Sequence, residues 1–158
     1  RHTRLQGDWS SDVCSSDLLD PRSLKALYNR GLTRKLAGDL KGAAADFSAA
    51  IEVNPRVSEA FNNRGIVRKR MGDLDGALAD FEEALRLNPR MAEAFNNRGN
   101  LRLARKDYAA AIEDYDAAIR LNPQYAEAYR NRGLARQAIG SETAARAEKK
   151  SSGIFCHE

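Results

Sequence analysis

The sequence is poor in the residue types that build disulfides, metal sites and most catalytic centres. Its 158 residues include two cysteines, two histidines and one tryptophan. It has no Gly-rich phosphate loop and no cluster of cysteine and histidine with the spacing of a metal site. No apolar run approaches the ~18 residues of a membrane-spanning helix. These absences predict a protein without catalytic activity, cofactor or bound metal.

Proline is also scarce, but its four copies are regularly placed. Pro21, Pro55, Pro89 and Pro123 lie 34 residues apart. The same interval separates four glycines and four alanines, namely Gly31, Gly65, Gly99, Gly133, Ala43, Ala77, Ala111 and Ala145. A fixed period of this length is typical of stacked two-helix repeats, in which each unit buries its apolar face against its neighbours. We therefore expect a surface that several repeats build together.

The first 18 residues fall outside this periodic pattern. Residues 8–18, DWSSDVCSSDL, resemble a translated sequencing adapter, and residues 1–4 match the outer end of the same adapter. We interpret residues 1–18 as a non-native, disordered segment and exclude them from the fold. The chain has a formal charge of +4, which becomes +5 when two arginines and three aspartates of this segment are left out. Residues 19–23 then correspond to the end of a truncated preceding repeat.

Six positions of the 34-residue unit carry a constant residue type. A large apolar residue stands at position 4, glycine at 8, alanine at 20 and 27, an aromatic residue at 24 and proline at 32, counted from Leu24, Ser58, Ala92 and Ala126. This pattern resembles the tetratricopeptide repeat (TPR) at all six positions in the first three units. The fourth unit departs from it, because Lys149 and Ser152 replace the aromatic residue and the alanine. The resemblance implies an all-α fold, an α-solenoid of antiparallel helix pairs that forms a TPR superhelix of about 3.5 repeats.

The pattern also predicts where each unit and its helices begin and end. The four repeats cover residues 24–57, 58–91, 92–125 and 126–150, and a tail follows at 151–158. Each repeat should contain two helices of about fourteen residues, at roughly 24–37 and 40–53 in the first. An N-capping residue should begin each second helix, namely Asp39, Asp73, Asp107 and Ser141. Residues 141–150 are either a polar capping helix or repeat sequence altered by a reading-frame error.

Arginines and acidic residues recur in phase with the repeat. Arginine occupies positions 7 and 11 of every unit, and an acidic residue occupies position 23 on the matching flank of the second helix. Because a partly buried cation needs a partner, we predict the intra-repeat ion pairs Arg30–Asp46, Arg64–Asp80 and Arg98–Asp114. Arginine rows that bind phosphate are the alternative. The acids interleaved at equal spacing disfavour it.

Asparagine recurs at position 6 of every unit, as Asn29, Asn63, Asn97 and Asn131. At ~100° per residue this position lies about 160° around the helix from the glycine at position 8, and so points away from the partner helix. The TPR resemblance places this face in a concave groove. A carboxamide both donates and accepts, and could bind the main chain of an extended peptide. In the alternative interpretation, the asparagine only bonds a neighbouring helix.

The predicted groove carries charges of both signs. Its cations are Lys25 and Arg70, with Lys35, Lys69 and Arg130 nearer the rim. Three carboxylates oppose them, so that the surface only modestly favours acidic ligands: Glu59, Glu93 and Glu127. In chaperone-binding TPRs a basic clamp holds a C-terminal carboxylate. The places that the resemblance assigns to this clamp hold Tyr28, Leu32, Glu93 and Asn97, which disfavours a chaperone tail as ligand.

The sequence therefore predicts a non-catalytic protein–protein interaction module. An extended peptide or a partner helix should bind in the groove, whereas nucleic acid is disfavoured as a partner. A different possibility is a regulatory or targeting segment of a larger enzyme. A third, less favoured, is an RNA-binding helical repeat, whose affinity would fall steeply with salt.

Overall fold

The computed structural model describes residues 23–151, with side chains as far as Thr143. These residues form seven helices, α1 (Leu24–Ala37), α2 (Leu40–Val53), α3 (Ser58–Met71), α4 (Leu74–Leu87), α5 (Ala92–Ala104), α6 (Tyr108–Leu121) and α7 (Ala126–Ser151). Successive helices pack as antiparallel pairs, which confirms the all-α fold. The predicted adapter segment and residues 152–158 of the tail lie outside the described residues.

The chain divides into two compact units, one ending at Asp80 and the other beginning at Phe81. In the first unit α1 packs on α2 and α2 on α3; in the second, α5 packs on α6 and α6 on α7. None of the described helices is long and apolar enough to cross a membrane.

Helix ends follow the local signals in the sequence. The predicted bounds of α1 and α2 are confirmed. Helix α2 begins after Asp39, whose Oδ1 accepts a hydrogen bond from the Gly42 amide at 2.9 Å. It ends at Val53, and the C-cap residue Asn54 is extended, as expected for a residue before proline. Asp73 and Asp107 cap α4 and α6 in the same way, at 2.9 and 3.4 Å.

One turn is built from a residue that does not favour its backbone conformation. Gly38 and Gly72 end α1 and α3 with φ of 85° and 87°, in the left-handed region that glycine enters without steric cost. The equivalent residue of the third repeat is Lys106, with φ of 63°. The left-handed conformation costs free energy for a lysine, because its Cβ crowds the backbone.

A recurring spacing of small and large residues lets the paired helices approach closely. A Cβ added at Gly31 would lie 2.8 Å from Cε1 of Phe47, and one added at Gly99 would lie 2.7 Å from Cε1 of Tyr115. Both rings are fully buried. Ala43, Phe47 and Val67 form a core cluster in the first unit, as Ala111, Tyr115 and Ala135 do in the second. The glycine at position 8 is therefore required by the aromatic ring at position 24.

The three predicted ion pairs are confirmed. Arg30 donates to Asp46 through Nε at 2.9 Å and Nη2 at 2.6 Å. The equivalent pairs, Arg64–Asp80 and Arg98–Asp114, have closest contacts of 2.7 Å each. Each aspartate is only 2–3% exposed. The hydrogen bonds that Arg30 donates to Asp46, followed by the negative charge of that carboxylate, raise the pKa of Arg30.

The second arginine row completes these charge clusters, which the sequence did not lead us to predict. Nη1 of the arginine at position 11 donates to the same aspartate, at 2.8 Å from Arg34 and at 2.9 Å from Arg68 and Arg102. The arginine at position 7 also lies over an aromatic ring in its own helix in three repeats, with Arg64 5.4 Å from the centroid of Phe61. Two arginines therefore neutralise each buried carboxylate.

The fourth repeat differs from the prediction. Helix α7 runs without a break from Ala126 to Ser151, so a second helix does not begin after Ser141. Ser141 is not a cap but an internal residue, and its Oγ donates to the Ala138 carbonyl oxygen at 2.9 Å. Lys149 and Ser152 replace the aromatic residue and the alanine of the repeat. The sequence after Ser141 therefore lacks the apolar face with which a separate second helix would pack against the first. The helix continues instead.

Candidate peptide-binding surface

Asn63 joins the first helices of two neighbouring repeats. Its Nδ2 donates to the Tyr28 hydroxyl at 2.9 Å and to the Glu59 carbonyl oxygen at 3.0 Å, and its Oδ1 accepts from Lys35 Nζ at 2.6 Å. The residue is 9% exposed. Both donors of the carboxamide are used inside the protein, which favours the alternative interpretation for this residue. Asn63 holds α1 and α3 together.

An apolar cleft opens beside this contact, between α1 and α3. Its volume is about 250 Å³, and Leu24, Tyr28 and Val57 form its walls. These three residues also pack against the core cluster around Leu27. Lys25 and Glu59 line the cleft as well, and both are exposed. The cleft thus combines apolar walls with one charge of each sign.

The remaining predicted residues of the first unit lie on the same two helices. Asn29 is exposed and stands four residues after Lys25, one helical turn along the same face. Arg70 is exposed and its Nη1 donates to the Lys35 carbonyl oxygen at 3.3 Å, whereas Lys69 is half-buried. The structure therefore brings Lys35, Asn63 and Arg70 into contact.

In the second unit the position-6 asparagines are less accessible than the prediction assumed. Asn131 is 7% exposed, and its Nδ2 donates to Oδ1 of Asn100 at 2.8 Å and of Asn96 at 3.3 Å. Asn97 is half-buried. Arg130 is exposed on α7. Of the four asparagines, only Asn29 presents an exposed side chain.

The asparagines around Asn131 form a network that the sequence analysis missed. The Tyr115 hydroxyl donates to Asn100 Oδ1 at 2.8 Å, and Asn96 Nδ2 donates to Glu127 Oε1 at 3.2 Å. Burial, together with the charges of Asp114 and Glu127, raises the pKa of Tyr115. The sequence did contain a signal for this network, namely the asparagines at positions 5 and 9. Asparagine is a poor helix former, and inside a helix it usually makes a hydrogen bond to a specific partner.

Among the side chains that the structure describes, up to Thr143, no group of three His, Cys, Asp or Glu residues converges as in a metal centre. The surface offers carboxamides, lysines and an apolar cleft, which are groups that bind by hydrogen bonding, charge and apolar contact.

The repeat is recognised by two family models. One tetratricopeptide repeat model matches residues 24–57, and another matches residues 62–126 and 97–149. The second alone covers more than half of the chain. The chain belongs to the tetratricopeptide repeat family. No curated protein sequence matches it.

Solved TPR structures share the fold at low sequence identity. The first TPR domain of Spaghetti (RPAP3), bound to the HSP90 peptide SRMEEVD, is 23% identical with a TM-score of 0.73, over 77% of this chain and 96% of that one. The MamA protein is 22% identical with a TM-score of 0.72, over 88% and 81%. The TPR2B domain of yeast Sti1, in complex with an Hsp70 peptide, is 21% identical with a TM-score of 0.68, over 75% and 97%. At these identities the likeness shows the TPR fold.

Proposed function

We propose that this TPR chain is a non-catalytic interaction module that binds an extended peptide across α1 and α3, the first helices of two neighbouring repeats. The observation that carries the proposal is the apolar cleft between α1 and α3, with Lys25 and Glu59 beside it. Its volume of about 250 Å³ is below the ~300–1,000 Å³ of sites for drug-sized ligands. It is suited to a single large apolar side chain of a peptide. The TPR structures with bound HSP90 and Hsp70 peptides support a peptide as ligand.

The position-6 asparagines have two different roles in this proposal. Asn63 fixes the spacing of α1 and α3, because its hydrogen bonds are made within the protein. Asn29 is exposed one turn from Lys25 and binds a peptide amide or carbonyl of the ligand. Each such hydrogen bond adds only ~0.5–1.5 kcal/mol, so that several contacts must act together. Asn97, Asn131 and Arg130 stay predictions for the second unit.

The ligand is expected to be an internal, mildly acidic segment. Lys25, Lys35, Lys69 and Arg70 lie on α1 and α3, where Glu59 partly offsets them. A C-terminal carboxylate is disfavoured, because Tyr28 bonds to Asn63 and Leu32 packs against the core cluster, at the positions where chaperone-binding TPRs have their basic clamp. In the first three repeats the arginine rows, which supported RNA as an alternative ligand, bind the buried aspartates instead.

Selection from a phage-displayed random peptide library tests this proposal on the full chain. We expect enriched peptides to pair one large apolar residue with a nearby acidic residue. The variant Lys25→Glu should bind these peptides more weakly, and a control, Lys41→Glu, adds the same charge at an exposed site on α2 and should not. Failure to enrich any sequence, or equal binding by both variants, would argue against the cleft.

A further inference from the structure

One face of α7 has three exposed residues whose equivalents in the other repeats are buried or half-buried. It is formed by Tyr129, Arg132, Gly133 and Arg136, which occupy positions 4, 7, 8 and 11 of the fourth repeat. Tyr129 is 44% exposed, and Arg136 is exposed as well. Among the described residues, nothing lies within 4 Å of a Cβ built on Gly133. We call these four residues the α7 face.

The same chain shows what covers this face when the repeat is complete. In the third repeat α6 lies on the equivalent residues of α5. Arg98 and Arg102 both bind Asp114, and the Tyr115 ring occupies the space above Gly99. The first repeat repeats this arrangement with Asp46 and Phe47 of α2. An acidic residue followed by an aromatic residue therefore fills this type of face.

The chain's own acidic residue at that position is carried away from the α7 face. Residue 148 would be the counterpart of these aspartates, but it lies on the same continuous helix as Arg132, about 24 Å further along the axis. Arg132 turns instead to Asp116 on α6, with its Nη1 2.5 Å from Oδ1.

We propose that the α7 face binds an amphipathic helix supplied by another polypeptide. The three helices that fill this position within the chain, α2, α4 and α6, share the pattern Ala-x-x-Asp-(Phe/Tyr)-x-x-Ala. The partner carries the same pattern: its carboxylate binds Arg132 and Arg136, and its aromatic ring lies over Gly133. Position 6 lies about 160° around the helix from position 8, so this face is distinct from the proposed peptide groove. The inference does not depend on the groove.

The direct probe is a fluorescent peptide with the sequence of α6, YAAAIEDYDAAIRL, titrated with the full chain by anisotropy. We expect saturable binding. A matched peptide carrying Asp114→Ala and Tyr115→Ala should bind at least about tenfold more weakly, because it lacks the charge-assisted hydrogen bonds and the ring. No saturable binding of the first peptide, as when residues after α7 cover the face, would overturn the proposal, and so would equal binding of the two.

Variants of the chain locate the binding. Gly133→Leu fills the space that the ring would occupy and should abolish binding, while circular dichroism stays unchanged because no described residue fills that space. Glu142→Leu places the same side chain at an exposed site about 180° around α7 and should leave binding unchanged. Binding that survives Gly133→Leu would mean that the peptide displaces α6 or enters the groove, and would refute the assignment.

Discussion

Alanine at Gly99 and alanine at Gly133 should change the stability of the chain in opposite directions, although both glycines occupy position 8 of a repeat. The added Cβ at Gly99 would lie 2.7 Å from a Tyr115 ring that is fully buried and tied through its hydroxyl to Asn100. The ring has no space to retreat. At Gly133 the same methyl group meets nothing among the described residues.

The expected magnitudes follow from two opposing terms. Alanine gains up to about 1 kcal/mol over glycine inside a helix, and this gain applies at both sites. Overpacking costs about 1–3 kcal/mol, and it applies only at Gly99. Gly99→Ala should therefore lower the free energy of unfolding by about 1 kcal/mol, and Gly133→Ala should raise it by up to about 1 kcal/mol.

Urea unfolding followed by circular dichroism measures this difference. A gap of about 2 kcal/mol between the two variants separates their midpoints by roughly 1 M at the urea dependence of a small protein. The two sites lie in the same compact unit, so each variant serves as the control for the other. Equal midpoints, or a less stable Gly133→Ala, would refute the view that the described residues leave this face of α7 uncovered.

Three further outcomes are expected. Asp80→Ala should lower the free energy of unfolding in urea by about 3 kcal/mol, since it leaves two arginines without their buried carboxylate. The control Glu82→Ala, at an exposed site, should change it by less than about 0.5 kcal/mol. A loss below ~1 kcal/mol for Asp80→Ala would contradict burial of the pair. Lys106→Gly should raise the thermal midpoint by a few degrees, because glycine removes the roughly 1 kcal/mol cost of a left-handed turn, and an unchanged or lower midpoint would count against that cost. Burial raises the pKa of Tyr115, so the unfolded chain loses the phenolic proton first, near the ordinary pKa of 10.0. The free energy of unfolding should therefore fall above that pH by up to ~1.4 kcal/mol per pH unit. Tyr115→Phe should reduce this slope, and an unaltered slope would exclude Tyr115 as its source.

Helices α1 to α6 could be predicted because their signals are local. Gly38, Asp39 and the Asn54-Pro55 pair each act on the backbone beside them, so the sequence specifies where α1 ends and α2 begins and ends. The start predicted at Ser141 was wrong for the complementary reason. A cap residue begins a new helix only if the following segment has a face to pack, and this one has Lys149 at the aromatic position.

The roles of individual side chains were harder to predict, because they depend on distant partners. Asn29 and Asn63 occupy the same position of the repeat, yet one is exposed and the other is bonded to Tyr28 and Lys35 in the preceding repeat. The sequence pattern of a single repeat cannot predict which of the two asparagines is exposed. The pairs at positions 7 and 23 were predicted because each joins two residues of one repeat, and the added bond from position 11 obeys the same spacing.

The shared aspartates bear on how an array of this kind can grow or shrink. Both arginines that neutralise Asp46 come from its own repeat, and the same holds for Asp80 and Asp114. Duplicating or deleting a whole 34-residue repeat therefore leaves every buried aspartate with its two arginines. A deletion or insertion whose length is not a multiple of 34 residues would separate them, at a cost of several kcal/mol. Electrostatics alone thus favours gene rearrangements that exchange complete modules.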